Sequence, residues 1–135
     1  MAEHLLADIP QKAFIVHDGK ILLTHDVDGT WQPPGGRLHV DEAPLEGFRR
    51  EIMEELGVEV ENDGLFDAFT FVSKSGLAHY VVIFLARLKC SPDALKPDAA
   101  EMTEIRWIGP DEFEDLKMRD GYKEALRKYF NARTP

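Results

Sequence analysis

Several common features are missing from this sequence of 135 residues, and each absence excludes a class of protein. There is one cysteine, Cys90, so no disulfide can form within the chain, and we expect a reducing, cytoplasmic location. No apolar run approaches the ~20 residues that cross a bilayer, so we expect no membrane contact. The opening residues MAEHLLADIPQK lack a basic start followed by an apolar stretch, so we expect no secretory signal.

Basic residues are also in the minority, with 16 Lys and Arg against 25 Asp and Glu and a net charge of −9. This is the wrong sign for binding a phosphate backbone, so we expect no nucleic-acid partner. An acidic protein can still bind a polyphosphate when divalent cations lie between them, and its sequence should then contain clustered carboxylates. Length and composition fit one globular domain over residues 1–135, as a monomer or homodimer.

The first third of the chain predicts a β-hairpin and then a long loop. Two short apolar runs, Ala13–His17 and Ile21–His25, flank Asp18-Gly19, a dipeptide that is typical of a tight hairpin turn. The following segment, HDVDGTWQPPGGRLHVDE, is rich in proline and glycine. We therefore expect it to form an ordered loop without regular elements, of the kind that often carries function.

The residues after this loop predict a helix from about Ala43 to Leu56. Asp41 is the expected N-cap, Pro44 is tolerated in the first turn, and Gly57 is expected to end the helix.

The second half of the chain alternates between strands and helices. The segment YVVIFL is continuously apolar, which is typical of a strand in the middle of a sheet. The pattern predicts strands at 66–72, 79–88 and 104–108, a loop at 91–100, and helices at 111–116 and 122–130.

A cluster of carboxylates is predicted on one side of the first helix. Glu51, Glu54 and Glu55 follow the spacing i, i+3, i+4, and the apolar stripe beside them can pack on a sheet. Like charges at these spacings each destabilise an exposed helix by roughly 0.2–0.5 kcal/mol, and a divalent cation reverses this effect. Oxygen-only ligands favour Mg²⁺, with Mn²⁺ also possible. A solvated helix face is the alternative interpretation, and helical spacing alone favours it.

The residues around this cluster resemble the signature of the Nudix hydrolase family, G-x5-E-x7-R-E-U-x-E-E-x-G-U, in which U is a bulky aliphatic residue. Gly36 begins the match, Glu42 follows after five residues, and Arg50-Glu51 follow after seven more. Every fixed position is then filled up to Val58. A signature with this many fixed positions is far more specific than a short glycine motif.

The resemblance implies an α/β fold, an α/β/α sandwich with a central mixed β-sheet. It also implies divalent-metal-dependent hydrolysis of a nucleoside diphosphate linked to another moiety. In this family the three clustered glutamates are metal ligands, and the Gly35 carbonyl oxygen is a further ligand. Arg50 would orient Glu51, and Glu42 would brace the loop against the helix. Arg37 would lie near the phosphates, but a solvated loop arginine is an equally good interpretation of this residue.

A further carboxylate, sometimes the general base, often comes from a loop outside the signature in proteins of this family. The segment before Trp107 offers Glu101 and Glu104. We favour Glu101, because Glu104 begins a predicted strand and is expected to belong to the sheet. The choice between these two residues and a glutamate of the signature stays open.

The substrate implied by the resemblance is a small-molecule nucleotide. Residues 59–79 contain neither the proline typical of members that act on ADP-ribose nor the tyrosine typical of those that act on dinucleoside polyphosphates. We therefore predict a nucleoside triphosphate pyrophosphohydrolase of the nucleotide-pool sanitising type. The alternatives are a hydrolase of ADP-ribose or a nucleotide sugar, and a catalytically silent module that senses a nucleotide. The intact set of glutamates favours an enzyme over the silent module.

Overall fold

The computed structural model describes residues 3–133, so the ends of the predicted domain, residues 1–2 and 134–135, lie outside the described residues. A single 3₁₀ turn, Pro92–Ala94, occupies part of the predicted loop at 91–100. The strands and α-helices in the described range are β1 Pro10–His17, β2 Lys20–Asp26, β3 Trp31–Gln32, β4 Gly35–Arg37, α1 Pro44–Leu56, β5 Val60–Val72, β6 Ala78–Leu88, β7 Met102–Ile108 and α2 Asp120–Asn131. Neither α-helix is long and apolar enough to cross a membrane.

The sheet is mixed, and β1 is the strand that connects its parts. The order of strands along the sheet is β3-β2-β1-β6-β5, with β4 paired to β1 and β7 paired to β2. β1 runs parallel to β6 and antiparallel to β2 and β4. Its first residues pair with β4, with Lys12 opposite Gly35, whereas its last residues pair with β2 in the hairpin. The predicted hairpin is confirmed, and both residues of its turn have positive φ, 49° at Asp18 and 74° at Gly19.

The two helices cover opposite faces of this sheet. Alternate residues of β1 point to opposite sides, because side chains alternate along a strand. Ala13 and Ile15 pack with the apolar face of α1, whereas Phe14 packs with that of α2. The layers are therefore helix, sheet and helix, which confirms the predicted α/β/α sandwich with a central mixed sheet.

Helix α1 ends as predicted but does not begin as predicted. Gly57 adopts a left-handed conformation, φ 68°, and its N–H donates to the Met53 carbonyl, which ends the helix. The N-cap is Ala43, without a side-chain cap, so the prediction of Asp41 as N-cap is wrong. Pro44 occupies the first turn and has no N–H to cap. The segment before the helix is instead attached through Glu42, whose carboxylate accepts hydrogen bonds from Arg50.

The long loop predicted without regular elements contains the short strands β3 and β4. Strand pairing over two or three residues needs neighbouring strands rather than a strong local preference, and β2 and β1 provide them. β4 approaches β1 so closely that a Cβ at Gly35 would lie 2.0 Å from the Gln11 carbonyl oxygen. Glycine therefore permits this pairing, although glycine-rich sequence suggested an irregular loop.

The predicted helix at 111–116 is wrong, because the chain there forms only turns and bends. Phe113 is buried and lies 5.9 Å from the ring of Phe130. The Gly109 N–H donates to the Glu112 side chain at 2.9 Å. Apolar packing and this local bond hold the segment, without a ladder of helical hydrogen bonds.

The strand predicted at 66–72 begins earlier, at Val60. Its pairing with β6 is irregular on both sides of Leu65. The composition of the segment Asn62-Asp63-Gly64 is typical of a turn, but the segment is part of the strand because irregular pairing accommodates it.

Candidate active site

Five of the seven predicted site residues meet at a cleft of about 810 Å³. Its walls come from β1, β2, the loop that contains β3 and β4, α1, the facing ends of β5 and β6, and the segments before β7 and α2. The predicted residues that line the cleft are Gly35, Arg37, Glu51, Glu55 and Glu101. Arg50 and Glu54 lie outside this lining, where the Arg50 guanidinium connects Glu54 to Glu51.

Glu55 is the buried member of the carboxylate cluster. It is 8% exposed, and its two carboxylate oxygens accept the Gly35 N–H at 3.1 and 3.3 Å. The pKa of this carboxyl is raised to about 7, mainly by burial and also by the nearby Glu51 and Glu101 carboxylates. The Lys12 ammonium and the Gly35 N–H act in the opposite direction. Glu55 therefore changes charge near neutral pH.

Arg50 joins the loop before α1 to the carboxylates on the helix. Its Nε and Nη2 donate to the two oxygens of Glu42 at 2.8 and 2.7 Å, and its Nη1 donates to Glu51 at 2.9 Å and Glu54 at 3.1 Å. The hydrogen bonds from Arg50 and from the His39 N–H lower the pKa of Glu42 to about 2. These contacts are the ones expected if Glu42 braces the loop and Arg50 orients Glu51. A catalytic role for Arg50 stays a prediction.

The Glu51 carboxylate lies directly against the glycine loop. A Cβ at Gly36 would be 2.3 Å from Glu51 Oε2 and 2.8 Å from Oε1. Any side chain at this position would force the carboxylate to move. The first glycine of the Nudix signature thus leaves the space in which a predicted metal ligand lies.

Lys12 is a cleft residue that the sequence analysis missed. It is 6% exposed, and its Nζ donates to the Gly35 carbonyl at 2.8 Å and to Gln32 Oε1 at 3.2 Å. Burial lowers the pKa of this lysine, and the carboxylates of Glu55, Glu51, Asp26 and Glu101 oppose that shift. The only signal in the sequence is a lysine directly before the apolar run AFIV, and such a lysine is normally interpreted as the solvated start of a strand.

The two candidates for the additional carboxylate occupy different places. Glu101 lies in the turn before β7 and lines the cleft. Burial raises its pKa, and the carboxylates of Asp98 and Glu51 raise it further. Glu104 lies within β7, outside the cleft lining, with its carboxylate 3.7 Å from Arg106. The geometry therefore favours Glu101 for contact with a ligand, and its role as general base stays a prediction.

The donor set of the cleft fits a divalent cation chemically. Glu51, Glu55 and the Gly35 carbonyl offer only oxygen atoms, which Mg²⁺ and Mn²⁺ prefer. Each of these groups accepts hydrogen bonds from the protein, from Arg50, Gly35 N–H and Lys12 respectively, and retains further lone pairs. Within residues 3–133, no three side chains of Asp, Glu, His or Cys converge closely enough to hold a metal ion in their present arrangement.

An aromatic and cationic wall lines another part of the cleft. The Arg119 guanidinium lies 3.6 Å from the centroid of the Phe71 ring, and the His79 ring stacks on Phe71 at 4.4 Å with an interplanar angle of 21°. His79 Nδ1 also contacts the Asp8 carboxylate. His79 and Arg119 were not predicted as site residues, because they are 40 positions apart along the chain and only the fold brings them together.

Comparison with known proteins gives consistent matches. The model of the NUDIX domain family matches residues 12–129. A MutT-like protein of Streptomyces ambofaciens is 34% identical over 111 residues, covering 81% of this chain and 67% of the relative. The m7GpppN-mRNA hydrolase NUDT17 of Bos taurus is 32% identical over 96 residues, covering 60% of this chain and 32% of that protein. The crystal structure of a MutT NUDIX hydrolase from Burkholderia pseudomallei has a TM-score of 0.78 at 23% identity, covering 90% of this chain and 97% of that one.

The raised pKa of Glu55 predicts how stability depends on pH in metal-free protein. Between the ordinary carboxyl pKa of about 4.5 and about 7, the folded protein retains a proton that the unfolded chain releases. The contribution of Glu55 to stability is therefore complete below pH 4.5 and is lost as pH rises through 7. A shift of this size corresponds to a change on the order of 3 kcal/mol.

The measurement is denaturant unfolding in EDTA at pH 4.5 and pH 7.5, for the unchanged protein and Glu55→Gln. Ionisable groups that do not interact with Glu55 contribute equally in both proteins and cancel in the comparison. Glu55→Gln should gain stability relative to the unchanged protein as pH rises. Parallel pH profiles for the two proteins would contradict the burial of an ionisable Glu55.

Proposed function

The chain belongs to the NUDIX hydrolase family, and on that premise we propose that it hydrolyses nucleoside triphosphates to the monophosphate and pyrophosphate. The family consists of pyrophosphohydrolases that act on phosphoric anhydride bonds of nucleoside diphosphate derivatives. The observation that carries the proposal is one cleft lined by Glu51, Glu55 and Glu101 and also by Arg37 and Arg119. It offers oxygen ligands for a cation beside positive groups for a nucleotide.

Proteins of this family generally use a divalent metal, and we propose Mg²⁺, with Mn²⁺ possible. Glu51, Glu54, Glu55 and the Gly35 carbonyl would hold it. When bound, a divalent ion neutralises charge on phosphoryl oxygens and makes a bound water more acidic. Glu54 lies at the edge of this set, since its side chain is 54% exposed and bonded to Arg50.

Other side chains in and beside the cleft provide proton transfer, positioning of a metal ligand and attraction of phosphate. Glu101 accepts a proton from the attacking water as its oxygen bonds to phosphorus, and the bond to the leaving pyrophosphate breaks. A carboxyl with a raised pKa is better suited to this proton transfer than an ordinary solvated one. Arg50 keeps Glu51 turned toward Gly36 and the cleft. Arg37 is exposed at the cleft wall, where its charge attracts phosphate.

The wall formed by Phe71, His79 and Arg119 supports a nucleotide as the substrate. The Arg119 guanidinium lies over the Phe71 ring, and among residues 3–133 no group accepts a hydrogen bond from that guanidinium. Its N–H groups are therefore available for carbonyl or phosphate oxygens, and its plane is available for stacking on a base. A single domain, a cytoplasmic location and a monomeric or homodimeric state are proposed together with this function on the sequence evidence.

The substrate assignment is tested by product analysis. Purified protein with Mg²⁺ is supplied with the common ribo- and deoxyribonucleoside triphosphates, ADP-ribose, nucleotide sugars and a capped dinucleotide, and products are identified by phosphorus NMR. We expect monophosphate and pyrophosphate from a triphosphate at the highest kcat/KM. Faster turnover of any other class would show that the assignment is wrong, and no turnover of any compound would favour a nucleotide-sensing module.

The metal site is tested by removing charge from the carboxylates one at a time. EDTA should abolish hydrolysis and excess Mg²⁺ should restore it. Glu51→Gln and Glu55→Gln should each lower kcat by ~10²-fold or more, the usual effect of deleting one preorganised transition-state contact. Thermal midpoints without metal should hold or rise, because each substitution relieves repulsion between like charges.

Glu46→Gln is the matched control, since Glu46 is an exposed acid in the first turn of the same helix and lies outside the cleft lining. It should change neither kcat nor the thermal midpoint appreciably. If the Glu51 and Glu55 variants behaved like this control, or failed to fold, the carboxylates would form a solvated or structural face and not a metal site.

A further inference from the structure

Lys12 is a cation held inside the acidic wall of the cleft. Its backbone is fixed on two sides, since β1 pairs Lys12 with Gly35 of β4 and with Ile83 of β6. Its side chain has little room to reach solvent, because the residue is 6% exposed. Two of its three N–H donors are used, by the Gly35 carbonyl and by Gln32. The ammonium group is therefore held in a fixed position within the cleft and is not a mobile surface charge.

The surroundings of this lysine offset part of the cost of burying its charge. Removing an ammonium group from water costs several kcal/mol unless opposite charges compensate for it. Carboxylates of Glu51, Glu55, Glu101 and Asp26 are the acidic groups whose fields act on Lys12. The compensation is mutual, because a nearby cation also lowers the repulsion among these four carboxylates.

The contact with Gly35 links Lys12 directly to the predicted metal site. The Gly35 carbonyl is a proposed metal ligand, and in this structure it accepts a hydrogen bond from Lys12 at 2.8 Å. The peptide N–H of the same residue donates to Glu55, another proposed ligand. A divalent ion bound to these oxygens would lie near the ammonium group and would be repelled by it.

We propose that Lys12 is an internal counter-ion of the carboxylate cluster, which stabilises the metal-free protein and weakens the binding of a divalent cation in the absence of substrate. Because Lys12 adds a positive charge, the cleft without substrate has less net negative charge to attract a divalent cation. The phosphates of an incoming nucleotide then supply the negative charge that favours cation binding. The protein is thus expected to bind metal and nucleotide together better than it binds metal alone.

This inference rests on the proposed metal site, and it is tested by direct binding without substrate. Isothermal titration calorimetry measures the Kd for Mn²⁺ of the unchanged protein, Lys12→Met and Lys12→Gln, at one fixed pH. Methionine approximates the length of the side chain without charge, and glutamine retains an N–H donor without charge. Both variants should bind Mn²⁺ at least ~10-fold more tightly, since a like charge that contacts a proposed ligand oxygen, the Gly35 carbonyl, has been removed. In EDTA, the thermal midpoint of Lys12→Met should fall below that of the unchanged protein. Added Mg²⁺ should raise the midpoint of Lys12→Met by more than it raises the midpoint of the unchanged protein.

Lys117→Met is the control, because Lys117 is an exposed lysine of the same cleft and its loss changes the net charge equally. Its Kd for Mn²⁺ should stay within about 2-fold, since solvent and salt screen an exposed charge. Equal or weaker Mn²⁺ binding by both Lys12 variants would overturn the proposal and leave the metal site intact. Absence of Mn²⁺ binding in every protein, including the unchanged one, would overturn the metal site as well. Lys12 variants that fail to fold even with Mn²⁺ would show a purely structural lysine, and a variant that folds only with Mn²⁺ would support the proposal.

Discussion

Repulsion among carboxylates is the constraint on which the structure of the cleft depends. Glu51 and Glu55 come from one helix and Glu101 from a distant turn. The carboxylates of Glu51 and Glu101 raise the pKa of Glu55, and the carboxylate of Glu51 raises the pKa of Glu101. Two cations offset this repulsion. Arg50 lies outside the cleft lining and donates hydrogen bonds to Glu42, Glu51 and Glu54. Lys12 lies within the cleft lining and donates to the Gly35 carbonyl.

The sandwich determines which carboxylates meet and which do not. Helix α1 packs its apolar face on the sheet, so its acidic side reaches the rim of that contact. The close pairing of β4 with β1 then brings the Gly35 peptide between Glu55 and Lys12. Gly35 thus donates to an acid through its N–H and accepts from a base through its carbonyl oxygen, which couples the loop, the helix and the central strand. A displacement of β4 would disturb all three at once.

Much of the fold and part of the site could be predicted from local patterns. The hairpin around Asp18-Gly19 and the end of α1 at Gly57 depend on backbone conformations that few residues adopt, so their sequence signals are specific. The wrong predictions came from residues whose role depends on distant neighbours. Phe113 lies in a segment with helical propensity and is instead anchored by contact with Phe130. Gly35 belongs to a glycine-rich segment that becomes a strand because β1 lies beside it.

The sequence alone determined the family signature, the apolar runs that form the hairpin and the central strand, and the spacing that places three glutamates on one side of a helix. These features follow from residue order over a few turns or one strand, where covalent geometry sets which side chains are neighbours. Only the tertiary structure decided that Glu55 is buried while Glu54 is exposed, and that Lys12 enters an acidic cleft. It also decided that Arg119 rests on Phe71. The physical reason is that burial and electrostatic environment depend on groups far apart along the chain, which approach one another only when the sheet forms and both helices pack on it.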